Sequence, residues 1–110
     1  MTINLDKLIT VEQKQAQFMA SKQAEFTAAI QKRLDDFAKT RNYDSALSAA
    51  SYATSSNPTF SAEGQYIVEV RDLTWATGYA ILDDVLNGIR PIPGGIEDFE
   101  DELPSLEWPE

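Results

Sequence analysis

The chain has 110 residues, a length that favours one domain, and its 43% hydrophobic and 25% charged residues are ordinary globular values that argue against disorder throughout. It contains no cysteine and no histidine, which excludes disulfides, thiolate nucleophiles, zinc–sulfur sites and the usual general base near neutral pH. The net charge of −9 is uneven, because residues 1–60 carry seven basic and six acidic groups whereas residues 61–110 carry two and twelve. Since an acidic surface repels nucleic acid and anionic lipid, we expect no nucleic-acid partner and no membrane partner.

Carboxylates are the only side chains that could support catalysis. The pairs Asp35–Asp36 and Asp83–Asp84 fall in predicted helices, where adjacent side chains point to different faces. The acidic cluster at 97–102 does not match a calcium-binding loop, and the sequence has no glycine-rich phosphate loop and no GxSxG elbow. We therefore expect no enzymatic activity, no cofactor and no metal site.

The N-terminal part of the sequence predicts an arm followed by a long helix. Residues 1–10 are expected to be extended or a short strand, and a capping box at Thr10–Gln13 predicts that a helix begins there and continues to about Lys39. Its first turns have little to bury, which fits either a solvated, fraying end or a helix that meets a partner or its own copies. In the second case Phe18 and Met19 are candidate protein-binding residues. The apolar residues form one stripe: Val11, Phe18, Met19, Phe26, Ile30, Leu34 and Phe37.

A short second helix is predicted from a cap at Asn42 or Asp44 through about Ala53. The stretch that follows ends in Pro58, and the residue before a proline is pushed out of the helical region, so the helix should break there.

A third helix is predicted from a Ser61 cap to Asn87, and Gly88 supplies a left-handed stop. The helix is apolar on two sides, which predicts that it lies buried between neighbours and that Trp75 packs in the core. One row comprises Trp75, Tyr79, Leu82 and Leu86, and the other comprises Ile67, Val70, Thr74, Ile81 and Val85.

The C-terminal part combines acidic and large apolar residues. A Pro/Gly linker over 89–95 precedes an acidic segment over 96–110, which is predicted to be a docking peptide that binds either the chain's own body or a partner. We predict a partner with a basic surface. Phe99 and Trp108 would anchor the segment on this partner, and the acidic side chains would attract it toward the basic surface. The candidate protein-binding residues of the segment are Phe99, Leu103, Leu106 and Trp108.

These elements predict an all-α fold in which a long N-terminal helix, a short middle helix and a long third helix form a small bundle with an extended acidic tail. The helical domain is expected over 11–88. The chain has no signal-peptide core and no stretch near the ~20 apolar residues of a membrane span, so we expect it to stay in a cytoplasm unless it leaves with a larger particle.

Several short motifs between Asn42 and Leu106 occur together. They are Tyr43-Asp44, Ser51-Tyr52-Ala53, Asn57-Pro58-Thr59-Phe60, Ala62-Glu63-Gly64, Arg71-Asp72-Leu73-Thr74-Trp75, and Leu103-Pro104 followed by Trp108. This combination resembles small proteins encoded near the tail fibre genes of tailed bacteriophages, and it covers about two-thirds of the chain. The resemblance implies a minor tail component or a tail fibre assembly chaperone, present in the host cytoplasm during assembly and, in the case of a tail component, in the virion tail. It implies a tail or tail fibre protein as partner, whereas the apolar stripe of the long helix leaves a homo-oligomer open as a second partner.

A second class of function stays open, in which the chain is a small acidic phage inhibitor that mimics nucleic acid or antagonises a host defence protein. The motif residues also have a purely structural interpretation. Gly64 weakens its helix by about 1 kcal/mol relative to Ala, which predicts a close contact there with Tyr43 or Tyr52. Arg71 is expected to pair with Asp44 or Asp72 and so to tie the short helix to the long one.

Overall fold

A computed structural model describes the backbone of residues 5–109 and the side chains of residues 13–109. It contains three α-helices, α1 (Leu5–Lys39), α2 (Ala46–Ala50) and α3 (Pro58–Leu86), and then two 3-10 turns, Ile96–Asp98 and Glu100–Glu102. The described residues contain no strand, so the all-α prediction of two long helices and a short middle one is confirmed. In the same residues, neither long helix has a stretch apolar enough to cross a bilayer.

Helix α1 begins at Leu5, so the predicted start at Thr10 and the extended arm up to that residue are wrong for residues 5–10. Thr10 lies inside the helix and cannot be its N-cap. The physical reason is that the stretch from Leu5 to Thr10 has no Gly or Pro and contains good helix formers, so a helix that starts further along can extend backwards through it. The predicted arm residues 1–4 lie outside the described residues. The end at Lys39 agrees with the prediction.

Helix α2 is capped by Ser45, whose Oγ accepts a hydrogen bond from the Ser48 backbone N–H at 3.1 Å. The predicted caps Asn42 and Asp44 are therefore wrong. Asn42 instead has a φ of +69° in the turn that leaves α1, a conformation that asparagine tolerates better than most residues. The helix ends at Ala50, three residues before the predicted Ala53, and gives way to a turn.

Helix α3 begins earlier than predicted because Asn57, not Ser61, is its N-cap. The Asn57 Oδ1 accepts hydrogen bonds from the backbone N–H groups of Thr59 at 3.0 Å and Phe60 at 3.2 Å. Pro58 takes the first helical position, where its missing N–H costs no helical hydrogen bond. The predicted stop is confirmed, since the helix ends at Leu86 and Gly88 has a φ of +72°.

Helices α1 and α3 run antiparallel, as two contacts along their length show. Phe37 lies near Tyr66, with ring centroids 6.0 Å apart, and the Ile30 side chain lies against Gly78. The core contains residues from all three helices and the C-terminal segment: Ile30, Leu34, Ala38, Ala46, Ala49, Ile67, Val70, Ile81, Phe99 and Leu103.

Only one of the two apolar rows of α3 is buried, so the prediction that α3 lies buried between neighbours is wrong for the other row. Ile67 and Thr74 are fully buried, whereas Tyr79 and Leu86 are each 61% exposed. Trp75 is half-buried and packs against the edge of the core. The reason is that α1, α2 and the C-terminal segment together cover the row that includes Ile67 and Thr74, whereas Trp75, Tyr79 and Leu82 lie at the edge of the groove beside α1 and are covered only in part.

The molecule is elongated. Its radius of gyration is 18.9 Å, whereas a compact chain of this length is expected to have about 13 Å. In the antiparallel register, α3 ends opposite the region of Met19, since Met19 and Val85 line the same groove. The first turns of α1 therefore extend past the end of α3.

Candidate protein-interaction surfaces

The C-terminal segment packs on the chain's own helices. Phe99 and Leu103 are only 3% and 5% exposed, and the Phe99 ring meets Phe26 of α1 edge to face with centroids 5.4 Å apart. Of the two docking alternatives, the structure therefore shows docking in cis. The prediction that Phe99 and Leu103 anchor a partner needs correction, because buried side chains cannot contact another protein while the segment is in place.

Trp108 is held between an aromatic ring and a cation. It stacks on Phe37 with centroids 4.3 Å apart, and the Arg41 guanidinium lies 5.5 Å from the centroid of its ring. Its indole N–H donates to the Thr40 Oγ1 at 2.8 Å. Leu106 is half-buried beside the same core. The apolar groups of the segment thus find their partners on α1, which explains why an acidic segment carries a tryptophan.

Polar contacts to the segment come from arginines. The Arg33 guanidinium donates to the backbone carbonyl of Pro104 at 2.8 Å and lies 3.6 Å from the Glu100 carboxylate. Arg90 donates to both carboxylate oxygens of Glu102, at 2.9 and 2.7 Å. This pairing lowers the pKa of Glu102 and raises that of Arg90. Two of the acids that were predicted to steer the segment toward a basic partner, Glu100 and Glu102, thus face basic groups of the same chain.

The side chain of Tyr66 holds the end of the segment. Its hydroxyl donates to the Ser105 carbonyl at 3.3 Å and accepts from the Glu107 backbone N–H at 2.8 Å. The end of the segment, residues 104–108, is therefore held mainly through backbone groups and Trp108, as an extended peptide is in many peptide-binding proteins.

Gly64 lies where two backbones approach closely. A Cβ built at this position would lie 2.7 Å from the Tyr52 carbonyl carbon and 2.8 Å from the Ala53 Cα, which is closer than real side chains come. The predicted close contact is confirmed for Tyr52, although backbone atoms and not the ring make it.

A buried carboxylate that the sequence analysis missed ties the helices together. Glu63 is 5% exposed, accepts from the Arg41 guanidinium at 2.6 Å and accepts from the Tyr43 hydroxyl at 2.9 Å. Burial, followed by the hydrogen bond with Glu63, raises the pKa of Tyr43 to about 12. Glu63 lies in the first turns of α3, where a solvated glutamate is equally favourable because of the helix dipole. No sequence signal therefore marks it as buried.

Arg71 pairs with Asp72 at 3.3 Å, as predicted for one of its two candidate partners. The pair is largely exposed and joins adjacent residues, so the expected tie between the short and the long helix is wrong. Asp44, the other candidate, is exposed. The tie is made instead by the cluster of Arg41, Tyr43 and Glu63.

An apolar surface remains uncovered at the end of the molecule from which α1 projects. Phe18 is 50% exposed, and Met19 is half-buried at the mouth of a groove between α1 and α3. We call this surface the open end, and its exposed apolar residues are Phe18, Tyr79, Leu86, Ile89 and Ile92. The predicted binding residues Phe18 and Met19 thus lie on it, whereas Phe99, at the base of the same groove, is buried.

Comparisons with protein-family models, with curated proteins and with solved structures each found no match to this chain. Among the residues that the structure describes, no group of three or more Asp, Glu, His or Cys side chains is placed to hold a metal ion.

Proposed function

We propose that this chain has no catalytic role and acts by binding protein, as a bacteriophage tail-associated protein that is either a minor tail component or a tail fibre assembly chaperone. The observation that carries the proposal is the open end. Soluble monomers rarely expose contiguous apolar patches, and larger patches mark interaction sites. Here five large apolar side chains are between 39% and 72% exposed, and two of them, Tyr79 and Ile92, line the groove between α1 and α3.

The projecting part of α1 supports the same proposal. Residues 13–18 are all exposed, so this stretch of the helix makes little contact with the rest of the chain. Short helical stretches are marginal in water, and most helical stability in proteins comes from packing of an apolar face. A projecting helix with Phe18 and Met19 at its base is therefore suited to gain stability by packing on another protein.

The link to phage tails rests on the motif resemblance, and the packing gives those motifs a structural role. Gly64 lets α3 approach the turn after α2, Tyr43 joins the turn after α1 to Glu63 of α3, and Trp108 closes the C-terminal segment onto α1. They build the scaffold that presents the open end.

The alternative, an acidic inhibitor that mimics nucleic acid, is less well supported. Phosphate mimicry needs carboxylates that are free on the surface, whereas Glu63, Glu100 and Glu102 pair with arginines of the same chain. The exposed acids of the C-terminal segment, Glu97, Asp98, Asp101 and Glu107, all lie in one short stretch of the chain, whereas mimicry needs carboxylates spread over a folded surface.

Mass spectrometry of purified virions, combined with co-purification on unassembled tail fibre, tests the proposal. A tail component is expected in the virion, whereas a chaperone is expected only on unassembled fibre. Absence from both would contradict the proposal. A chain found instead on a host defence protein would favour the inhibitor.

A further inference from the structure

The C-terminal segment has two parts that are held in different ways. Residues 96–103 contain both 3-10 turns and supply Phe99 and Leu103 to the core. Residues 104–109, which we call the clasp, have no helix or strand, and their backbone groups make no hydrogen bond to another backbone group of the described residues. We propose that the clasp covers a binding site for an extended, tryptophan-containing peptide of another protein, and that it leaves this site while residues 96–103 stay in the core. The site goes beyond the proposed function, because it lies near the C-terminal end of α1 and not at the open end.

The clasp is the less firmly held of the two parts. Its large side chains, Leu106 and Trp108, are only half-buried, whereas the two core side chains of residues 96–103 are buried. Both arginine–glutamate ion pairs of the segment also fall within residues 96–103. Since parts of a protein with few buried apolar contacts open at a lower free energy, the clasp should open without the rest of the segment.

The groups that hold the clasp stand on the two long helices and at the end of α1. Phe37 of α1 and Tyr66 of α3 have ring centroids 6.0 Å apart, and the Trp108 ring stacks on Phe37 and lies 6.1 Å from Tyr66. The Thr40 hydroxyl donates to the Phe37 carbonyl at 2.6 Å, so its oxygen is oriented to accept the indole N–H. These helices and their contacts do not need the clasp, so the site is already formed when the clasp leaves.

The contacts define the peptide that the site accepts. Its backbone offers carbonyls four and three residues before the tryptophan, to Arg33 and Tyr66, and an N–H one residue before it, to Tyr66 again. An apolar side chain two residues before the tryptophan takes the place of Leu106, since alternate side chains of an extended chain share a face. The Glu107 side chain is exposed and makes no contact, so the ligand class is an extended peptide with an apolar residue two positions before a tryptophan.

Another protein, and not a second copy of this chain, is the source of a peptide that can displace the clasp. The clasp is tethered beside its own site, at an effective concentration of roughly 1 mM. The clasp of a second copy would make the same contacts and would also lose association entropy, so exchange between copies gains nothing. A peptide of another protein displaces the clasp when it adds contacts that the clasp lacks.

The probe for this site is a fluorescein-labelled synthetic peptide with the sequence of residues 103–110, and fluorescence anisotropy measures its binding to the full chain. Trp108→Ala weakens the clasp and leaves the site unchanged, so this variant should bind the probe about tenfold more tightly than the wild type. This ratio is expected for a tethered competitor at roughly 1 mM when the peptide has a Kd of roughly 0.1 mM. A probe with Ala in place of its tryptophan should bind neither chain. Equal binding of the intact probe to both chains, or no binding to Trp108→Ala, would overturn the proposal.

Two tyrosine variants, each made in the Trp108→Ala chain, test the site itself. Tyr66→Phe removes the hydroxyl that binds two backbone groups of the peptide, and it should weaken binding of the probe roughly fivefold. Tyr79→Phe is the matched control, because it also removes a hydroxyl from α3, but Tyr79 is 61% exposed and its ring lies beside Trp75. This control should bind the probe as its parent does, and equal effects of the two variants would contradict the assigned site.

Hydrogen exchange of the wild-type chain tests the opening without any substitution. The Glu107 N–H, which donates to Tyr66, should be protected at least about tenfold less than the Leu103 N–H, which donates to the Glu100 carbonyl at 3.1 Å. Equal protection would mean that the whole segment leaves as one unit, and it would overturn the clasp. A wild-type mass that doubles with concentration and returns to 12.3 kDa when the peptide is added would assign the site to a second copy and overturn the inference of another protein. These measurements use no tail fibre, so a negative result leaves the proposed function intact.

Discussion

Phe99→Ala tests whether the C-terminal segment is part of the core. The ring is 3% exposed and lies edge to face with Phe26. Truncating a buried Phe to Ala typically costs about 3–5 kcal/mol, and the aromatic pair contributes roughly 0.5–1.5 kcal/mol beyond its buried area. Since a small domain has only about 5–15 kcal/mol of stability, we expect Phe99→Ala to remove a large part of the free energy of unfolding.

Urea denaturation of the full chain, followed by circular dichroism, measures the effect. Phe60→Ala is the matched control, because Phe60 is 43% exposed and its ring contacts Tyr52 with centroids 5.5 Å apart. We expect the control to lose only about 1 kcal/mol, since surface substitutions away from special features have small effects. Equal losses in the two variants would refute the reasoning. It would mean that the segment detaches in solution and that Phe99 gives no more stability than a surface ring.

Three further predictions concern the same scaffold. Gly64→Ala should lower the free energy of unfolding by about 2 kcal/mol or more, because the added Cβ meets backbone atoms. Gly78→Ala should cost less, because its Cβ meets only the flexible end of the Ile30 side chain at 3.2 Å, and equal melting midpoints for the two variants would contradict this reasoning. A chain ending at Gly95 should have a much lower melting midpoint, because it lacks Phe99 and Leu103 of the core. An unchanged midpoint would instead support docking of the C-terminal segment on a partner protein. Because the pKa of Tyr43 is raised to about 12 from an ordinary value of 10, the hydroxyl should stabilise the fold fully below pH 10 and lose this contribution as the pH rises through 12. Tyr43→Phe should therefore abolish the fall in melting temperature over this pH range. A fall that persists in Tyr43→Phe would contradict the attribution to Tyr43.

The helices and the fold class were predictable because their signals are local. A long stretch of good helix formers without Gly or Pro predicts α1, and Gly88 marks the end of α3. The caps were harder, since Ser, Asn and Asp are all good caps and several stand close together before α2 and α3. Which of them caps depends on the turn geometry, so Ser45 and Asn57 took the roles predicted for their neighbours.

Burial was less predictable because it depends on which elements meet in space. The apolar pattern showed that α3 has two apolar rows, but it did not show that the other elements fully cover only one of them. The composition of the acidic segment indicated docking through Phe99 and Trp108, but the choice between the chain's own body and a partner required the positions of Arg33 and Phe37. The burial of Glu63 was not predictable because the groups that bind its carboxylate, Tyr43 and Arg41, lie 20 and 22 residues away in the sequence.

The central claim is that the open end binds protein, and binding of purified tail fibre to immobilised chain measures it most directly. The account predicts that the wild-type chain binds and that Phe18→Glu weakens binding about tenfold or more. Leu47→Glu, which introduces the same charge at a residue of α2 that is 73% exposed, should bind as the wild type does. Circular dichroism should show that all three chains keep their helices. Loss of binding in both variants, or in neither, would contradict the claim.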